Sequence, residues 1–307
     1  MNASISVRFL QKGEDTLWRK CRFSTTPLEK ADESPFTAQP TFRSETHLVA
    51  KQEGRVVGKM EYILNEPHIA VLVDPIVVPD APIKKVAYSL LSKGIQVARS
   101  LNVRRILVIL QESLPYLQEL LLLMPTWGFR PLWQKNKYTL NPKDLPPLSD
   151  LPAWMELEFV PFKGLDDQVF LQTLNVTLQE TLSREDEGEN AVAMVEMFIE
   201  MCRKDGNYFP EDWEIALVKS EPVGVVLPAF LDPNRDNAGN LFIGVIPKAR
   251  GQGLGKLLHY RGLQTIGKRG VRKYLSSTDS SNMPMIKIFE SLNYQLVGIQ
   301  HYFEPTE

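Results

Sequence analysis

The stretch RGQGLGK, residues 250–256, sets glycines at 251, 253 and 255 between an arginine and a lysine, after a β-like run and before a helical one. Glycines let a backbone approach a ligand without Cβ clashes. The first N–H groups of the following helix lack intrahelical acceptors and carry the positive end of its dipole. Together these make a cradle for a diphosphate, with Arg250 or Lys256 adding charge. A P-loop is excluded, because Arg250 stands at its first glycine and Leu257 at its Ser/Thr. A dinucleotide fingerprint starting at Gly251 fails too, since Lys256 takes its third glycine. The competing reading is a glycine turn into a helix that binds nothing.

The elements that must position this loop occur twice. Gly58 in EGRVVGKMEYIL aligns with Gly224 in KSEPVGVVLPAFL, 166 residues on, and Pro79 with Pro247, 168 on. LNVRRILVIL (101–110) faces RGVRKYLSST (269–278) at 168, and WGF (127–129) faces LNY (292–294) at 165. Such constant spacing implies a tandem duplication. A length of 307 residues suits two domains of about 150. The proline-rich NPKDLPPLSDLP (141–152) reads as a semi-rigid linker, giving domains 1–147 and 148–307. In the first copy Ile83, Val86, Ala87, Leu90, Leu91, Ile95, Ala98 and Leu101 form one apolar helical stripe. That helix stops at Asn102 and its counterpart at Gly270, both left-handed caps. Helices interleaved with strands imply mixed α/β layers, one per half.

The duplication is an internal control on the loop. The first copy has VVPDAPIKKVAYSLL there: Pro82 opposite Arg250, Lys85 opposite Gly253, and an added Asp80. Pro82 also removes a backbone donor. A turn needed only for folding would be kept in both copies. The next strand changes as well, Val108, Ile109 and Leu110 giving way to Ser276, Ser277 and Thr278. Three polar residues at the end of an apolar strand suggest an open, lined cleft, against the plainer reading of a wetter strand end.

IGVIPKARGQGLGKLL resembles motif A of the GCN5-related N-acetyltransferases (GNAT superfamily), and SSNMPMIKIFESLNYQLVG (280–298) resembles their motif B. The resemblance covers about 154–303, and the first half resembles the same fold with motif A eroded. It implies two tandem GNAT-like domains, each a mostly antiparallel central sheet flanked by helices, and acetyl-CoA as co-substrate. By this resemblance Ile243, Gly244 and Val245 pair with the pantetheine arm, and the Val245 N–H polarises the thioester carbonyl. Amides of Gly251, Gln252, Gly253, Leu254, Gly255 and Lys256 hold the diphosphate, while Asn282 contacts the cofactor.

Two catalytic handles depart from the family's pattern. Its tyrosine, often the general acid, falls on Phe289, which the resemblance places beside the cofactor, and a glutamate used by some members falls on Ser277. A thiol of pKa about 8.5 leaves readily without an acid. An alkyl amine of pKa about 10.4 is only about one part in 10³ neutral at pH 7, so a base matters more. Candidates are Asp279, beside Ser277 on the same strand face, and the acids of SREDEGEN; Tyr294 and Tyr302 are candidate acids.

The segment REDEGEN (184–190) carries four acids against one arginine, which reads as a funnel for a cationic amine or as a solvated loop. Met194, Met197 and Met201 sit at helical spacing and read as core, and Lys84 and Lys85 as a solvated helix face. His47, His68, His259 and His301 show no metal-ligand spacing, His259 reading as surface or packing, so no metal is expected. A net charge of −2, with 43% apolar and 23% charged residues, argues against nucleic-acid or anionic-membrane partners. The widely separated Cys21 and Cys202 fit a reducing compartment, and neither a signal peptide nor a spanning segment is read, so a cytoplasmic protein is expected. The expectation is an N-acetyltransferase whose small-molecule or peptide amine acceptor attacks the thioester directly. A homodimer is left open. The alternatives are a non-catalytic acyl-CoA-binding or regulatory protein, an aminoacyl or peptidyl transferase, and an interaction scaffold.

Overall fold

A computed structural model describes residues 4–14, 46–65, 69–148, 156–184, 186 and 188–306. Cys21, His68 and the acids at 185 and 187 lie outside them. The chain forms two compact units, residues 1–135 with 298–307, and residues 136–297. The units therefore change hands at 135/136 and again at 297/298, whereas a single linear boundary at 147 was expected. Residues 141–148 help explain the difference. Leu145 and Leu148 pack on a buried cluster with Tyr138, Phe289 and Leu292, and Asn293 Nδ2 donates to the Asp144 carbonyl at 3.2 Å. This part of the supposed linker is docked on unit 2.

In unit 1 the strands are β1 (Ile5–Phe9), β2 (His47–Gln52), β3 (Arg55–Asn65), β4 (Ile69–Val77) and β5 (Arg105–Gln111). They are joined by the start of β6 (Phe129–Leu140), and helices α1 (Ile83–Ser100) and α2 (Leu117–Thr126) belong to the same unit. β1 to β4 pair antiparallel in sequence order, β4 and β5 run parallel, and β5 takes residues 300–303 of the last strand as an antiparallel neighbour. The apolar stripe of α1 packs Val86, Ala87, Leu90, Leu91 and Ala98 onto Leu48, Met60, Leu72 and Val108. Gly58 is the hinge of that packing. A Cβ there would lie 2.5 Å from Val86 Cγ1, so only glycine lets the helix approach.

Unit 2 repeats the pattern. It holds β7 (Leu157–Pro161), α3 (Gln168–Leu178), α4 (Ala191–Lys204), β8 (Glu214–Val218), β9 (Glu221–Phe230) and β10 (Asn237–Val245). Helix α5 (Leu254–Gly267), β11 (Lys273–Asp279), α6 (Met283–Ser291) and the start of β12 (Gln295–Pro305) follow. β7 to β10 pair antiparallel in order, and β10 and β11 run parallel. Both β4/β10 and β5/β11 start and end 168 residues apart, so the duplication read from four anchors extends to whole elements. Each unit is thus mixed α/β with a mostly antiparallel sheet. Asn102, directly after the Leu101 C-cap of α1, is left-handed as expected, whereas Gly270, also left-handed, lies two residues beyond Lys268, the C-cap of α5. Of the three methionines on α4 only Met194 is core; Met197 and Met201 are exposed, on the face turned away from Val195 and Ile199.

Candidate functional site

The two copies differ most where their parallel strands should part. In unit 1, β4 and β5 stay paired over five residues, from Ile69–Arg105 to Val73–Ile109. Beyond the last pair, Asp74 bridges the gap: its carboxylate accepts from Gln111 N at 2.8 Å and Gln111 Nε2 at 2.7 Å. Further along, Val77 N donates to the Tyr116 hydroxyl at 2.6 Å, and that hydroxyl donates to Pro75 O at 3.0 Å. The edge of β4 is closed by the unit's own side chains.

In unit 2, β10 and β11 pair only at Asn237–Lys273 and Ala238–Tyr274, and then separate. A register irregularity between Asn240 and Phe242 bends β10 at this point. Ile246 N returns to Val223 O of β9 at 3.0 Å, so by antiparallel alternation the Val245 N–H faces away from β9. Val77 is the counterpart of Val245, and Tyr116 that of Asn282, each preceding the helix at the same place. Asn282 turns back instead to cap α6, its Oδ1 accepting from Met285 N at 3.3 Å, and its N–H₂ donates to none of the described residues.

The glycine loop follows β10. Gly251 and Gly253 have φ of 77° and 83°, and an added Cβ at either meets nothing within 4 Å. Gly253 is the N-cap of α5, and no side chain caps that helix. By contrast Asp167, Asn190 and Asn282 cap α3, α4 and α6. The first amides of α5 are therefore left for a ligand or water. Gly255, one residue into the helix, has room for a Cβ only 3.2 Å from Ile288.

Arg250 does not point charge into this loop. Its Nε donates to Val245 O at 3.0 Å, and its terminal nitrogens donate to Thr177 O, Gln179 O and Glu180 O at 3.1, 2.8 and 3.1 Å. These include carbonyls that the end of α3 leaves without intrahelical partners. One guanidinium thus fastens β10 to the end of α3. Gly244 assists, since a Cβ there would lie 2.5 Å from Thr177 Cβ. The expected charge of Arg250 on the diphosphate gives way to a positioning role, and Lys256 stands on the first turn of α5.

Residues 175–294 match the model of the Acetyltransferase (GNAT) family. Unit 2 carries a GNAT domain. Over 105 residues the chain is 30% identical to the mycothiol acetyltransferase of Acidothermus cellulolyticus, a match spanning 34% of this chain and 32% of that protein. The chain thus spans about a third of that relative's length. A tandem GNAT protein from the clavulanic acid biosynthesis pathway superposes with a TM-score of 0.62 at 17% identity, over 98% of both chains. A GCN5-related N-acetyltransferase from Sphaerobacter thermophilus does so with 0.67 at 14%, over 99% of this chain and 97% of that one. The whole chain has the fold of tandem GNAT proteins. No described helix is long and apolar enough to cross a membrane, and no metal-ligating cluster occurs among the described residues.

Within the GNAT domain the expected catalytic residues separate. Ser277 is exposed on β11 and Asp279, two residues on, is 4% exposed. Asp279 Oδ1 accepts from Ser281 N and Oγ at 2.8 and 2.6 Å, while Oδ2 receives no hydrogen bond from the described residues. Phe289, placed beside the cofactor by its alignment, is instead 2% exposed in the core, ring to ring with Tyr138 at 4.8 Å and Tyr294 at 5.1 Å. Tyr294 is buried too, its hydroxyl 3.1 Å from His259 Nε2 and 3.2 Å from Ser276 Oγ, and burial pushes it well above the usual phenol range. It is not poised to release a proton. Tyr302 belongs to unit 1, stacked on Trp133 at 5.3 Å, with its phenol pushed up to about 12 by burial.

Spacing in the sequence missed the polar chain behind β11. Asn240 Nδ2 donates to His259 Nδ1 at 3.0 Å and to His259 O at 3.1 Å, so Nε2 carries the ring proton toward Tyr294. Complete burial pushes His259 down to about 3 from 6.5, and it stays neutral. Between these values the unfolded chain binds the proton and the folded chain does not. The stability that neutral His259 supports is complete above pH 6.5 and is lost as pH falls toward 3, at up to about 1.4 kcal/mol per pH unit. Urea unfolding at pH 7, 5.5 and 4.5 should therefore show a steeper loss for the wild-type protein than for His259→Gln. Equal slopes would mean that the imidazole titrates normally.

Proposed function

We propose that unit 2 transfers an acetyl group from acetyl-CoA to an amine. The observation that carries this reading is the parting of β10 from β11 above an uncapped, glycine-led helix N-terminus, in one copy of a fold that closes the same gap in the other. The pantetheine arm would add as a strand along the free edge of β10, at Ile243, Gly244 and Val245. The amides of residues 251–256 would hold the diphosphate, and the N–H₂ of Asn282 would reach the cofactor. Acetyl-CoA supplies a thioester carbonyl that a neutral amine can attack.

The Val245 N–H faces the split and would stabilise the oxygen as it gains charge. The amine nitrogen bonds to the carbonyl carbon, the C–S bond breaks, and the nitrogen's proton passes to Asp279. The thiolate then takes a proton from solvent, consistent with a buried Tyr294 and a phenylalanine at 289. A second reading, binding of acyl-CoA without catalysis, draws on those same two residues.

Calorimetric titration with acetyl-CoA should give one site per chain. Thiol release should follow with some member of a panel of polyamines, amino acids, aminoglycosides and peptide N-termini. No site, or two sites per chain, would overturn the one-site reading. One site with no thiol released to any acceptor would select the second.

A further inference from the structure

A carboxylate buried as deeply as Asp279 normally has both oxygens satisfied, because an unpaired buried charge is costly. Ser281 supplies two hydrogen bonds to Oδ1, and among the described residues none reaches Oδ2. What faces Oδ2 is Arg184, whose Nε lies 4.0 Å away, beyond hydrogen-bond reach. Arg184 is the one basic residue of the acidic segment 184–190, and its side chain is 58% exposed. The protein's own cation thus stands off a buried oxygen that a closer cation would satisfy better.

We propose that Arg184 occupies the entrance of the acceptor's ammonium subsite at Asp279 in the free protein and yields to the acceptor. The inference rests on the reading of unit 2 as an amine acetyltransferase and names how its acceptor is recognised. An exposed, loosely held arginine gives up little when displaced. An ammonium at hydrogen-bond distance from Oδ2 forms a charge-assisted bond that Arg184 does not. The segment's formal charge, four acids against one arginine, favours the approach of a cation. Arg184 is the self-contained competitor that excludes neutral and weakly cationic molecules from the carboxylate.

The test uses n-butylammonium chloride as probe at constant ionic strength, with binding followed by ligand-observed NMR on the full chain. Arg184→Ala should bind it about fivefold more tightly than the wild type, the factor that matches a surface ion pair of about 1 kcal/mol. Arg184→Lys should stay near the wild type, and adding Asp279→Asn to Arg184→Ala should abolish the gain. Unchanged or weaker binding by Arg184→Ala overturns the proposal, as does a gain that survives in the double variant. Arg184 is exposed, so the comparison of its alanine and lysine variants decides even where the Asp279 change impairs folding. Acetyl-CoA calorimetry on the same wild-type preparation keeps the two readings apart: its failure removes the transferase, while the amine titration still judges Arg184.

Discussion

Gly253→Asp is expected to weaken acetyl-CoA binding by two to three orders of magnitude (about 10²–10³) while leaving the fold intact. Nothing lies within 4 Å of a Cβ at this position, so no packing is lost. Two costs remain. A left-handed residue other than glycine costs about 1–2 kcal/mol. A negative charge about 4 Å from a phosphate costs about 4 kcal/mol at an effective dielectric constant of about 20, less whatever salt screens. Each 1.4 kcal/mol is about tenfold in affinity.

Gly253→Ala carries only the first cost, and its binding should fall by no more than about thirtyfold. Calorimetry on the two variants, with thermal unfolding as the check on folding, separates charge from strain. Equal losses would mean that the diphosphate does not lie at this loop. Lys85 is the matching position in unit 1, and Lys85→Asp should leave binding unchanged.

Asp279→Asn should lower kcat/KM for the amine acceptor by about 10²–10⁴, the usual worth of a positioned base, without changing acetyl-CoA affinity. Asparagine keeps an oxygen for the two hydrogen bonds from Ser281, so the local turn has reason to persist. The deficit should shrink as pH rises toward the amine pKa of about 10.4, because hydroxide and bulk solvent then do the deprotonation. Steady-state rates between pH 7 and 9.5 would measure this. A variant within twofold of wild type at pH 7 would remove Asp279 as the base and leave an acid of the 184–190 segment.

These two positions show how differently the chain discloses its parts. The glycine loop was legible because its chemistry is local: two left-handed residues and a helix start occupy consecutive positions, and DAPIKK shows the same turn without them. Asp279 was legible only as a carboxylate on the right strand. That one of its oxygens is satisfied by Ser281 and the other faces Arg184, 95 positions earlier, depends on how α3 and the segment after it return to β11. Phe289 was placed beside the cofactor by alignment and Tyr294 was a candidate replacement acid, yet both are buried, because a motif's register gives a position on a helix or strand and not the depth of its face.

The sequence by itself determined the repeated α/β pattern, the elements 168 residues apart, and the single copy of the glycine cradle. Periodicity, caps and turn residues act over one or two helical turns, so a linear reading recovers them. Only the tertiary structure decided the strand membership at 135 and 297, the use of Arg250 to fasten α3 to β10, and the closing of unit 1 by Asp74, Gln111 and Tyr116. Each of those rests on hydrogen bonds or strand pairing between residues about 40 to 195 positions apart. No local pattern encodes such partners, because they are selected by which buried donors and acceptors the folded chain brings face to face.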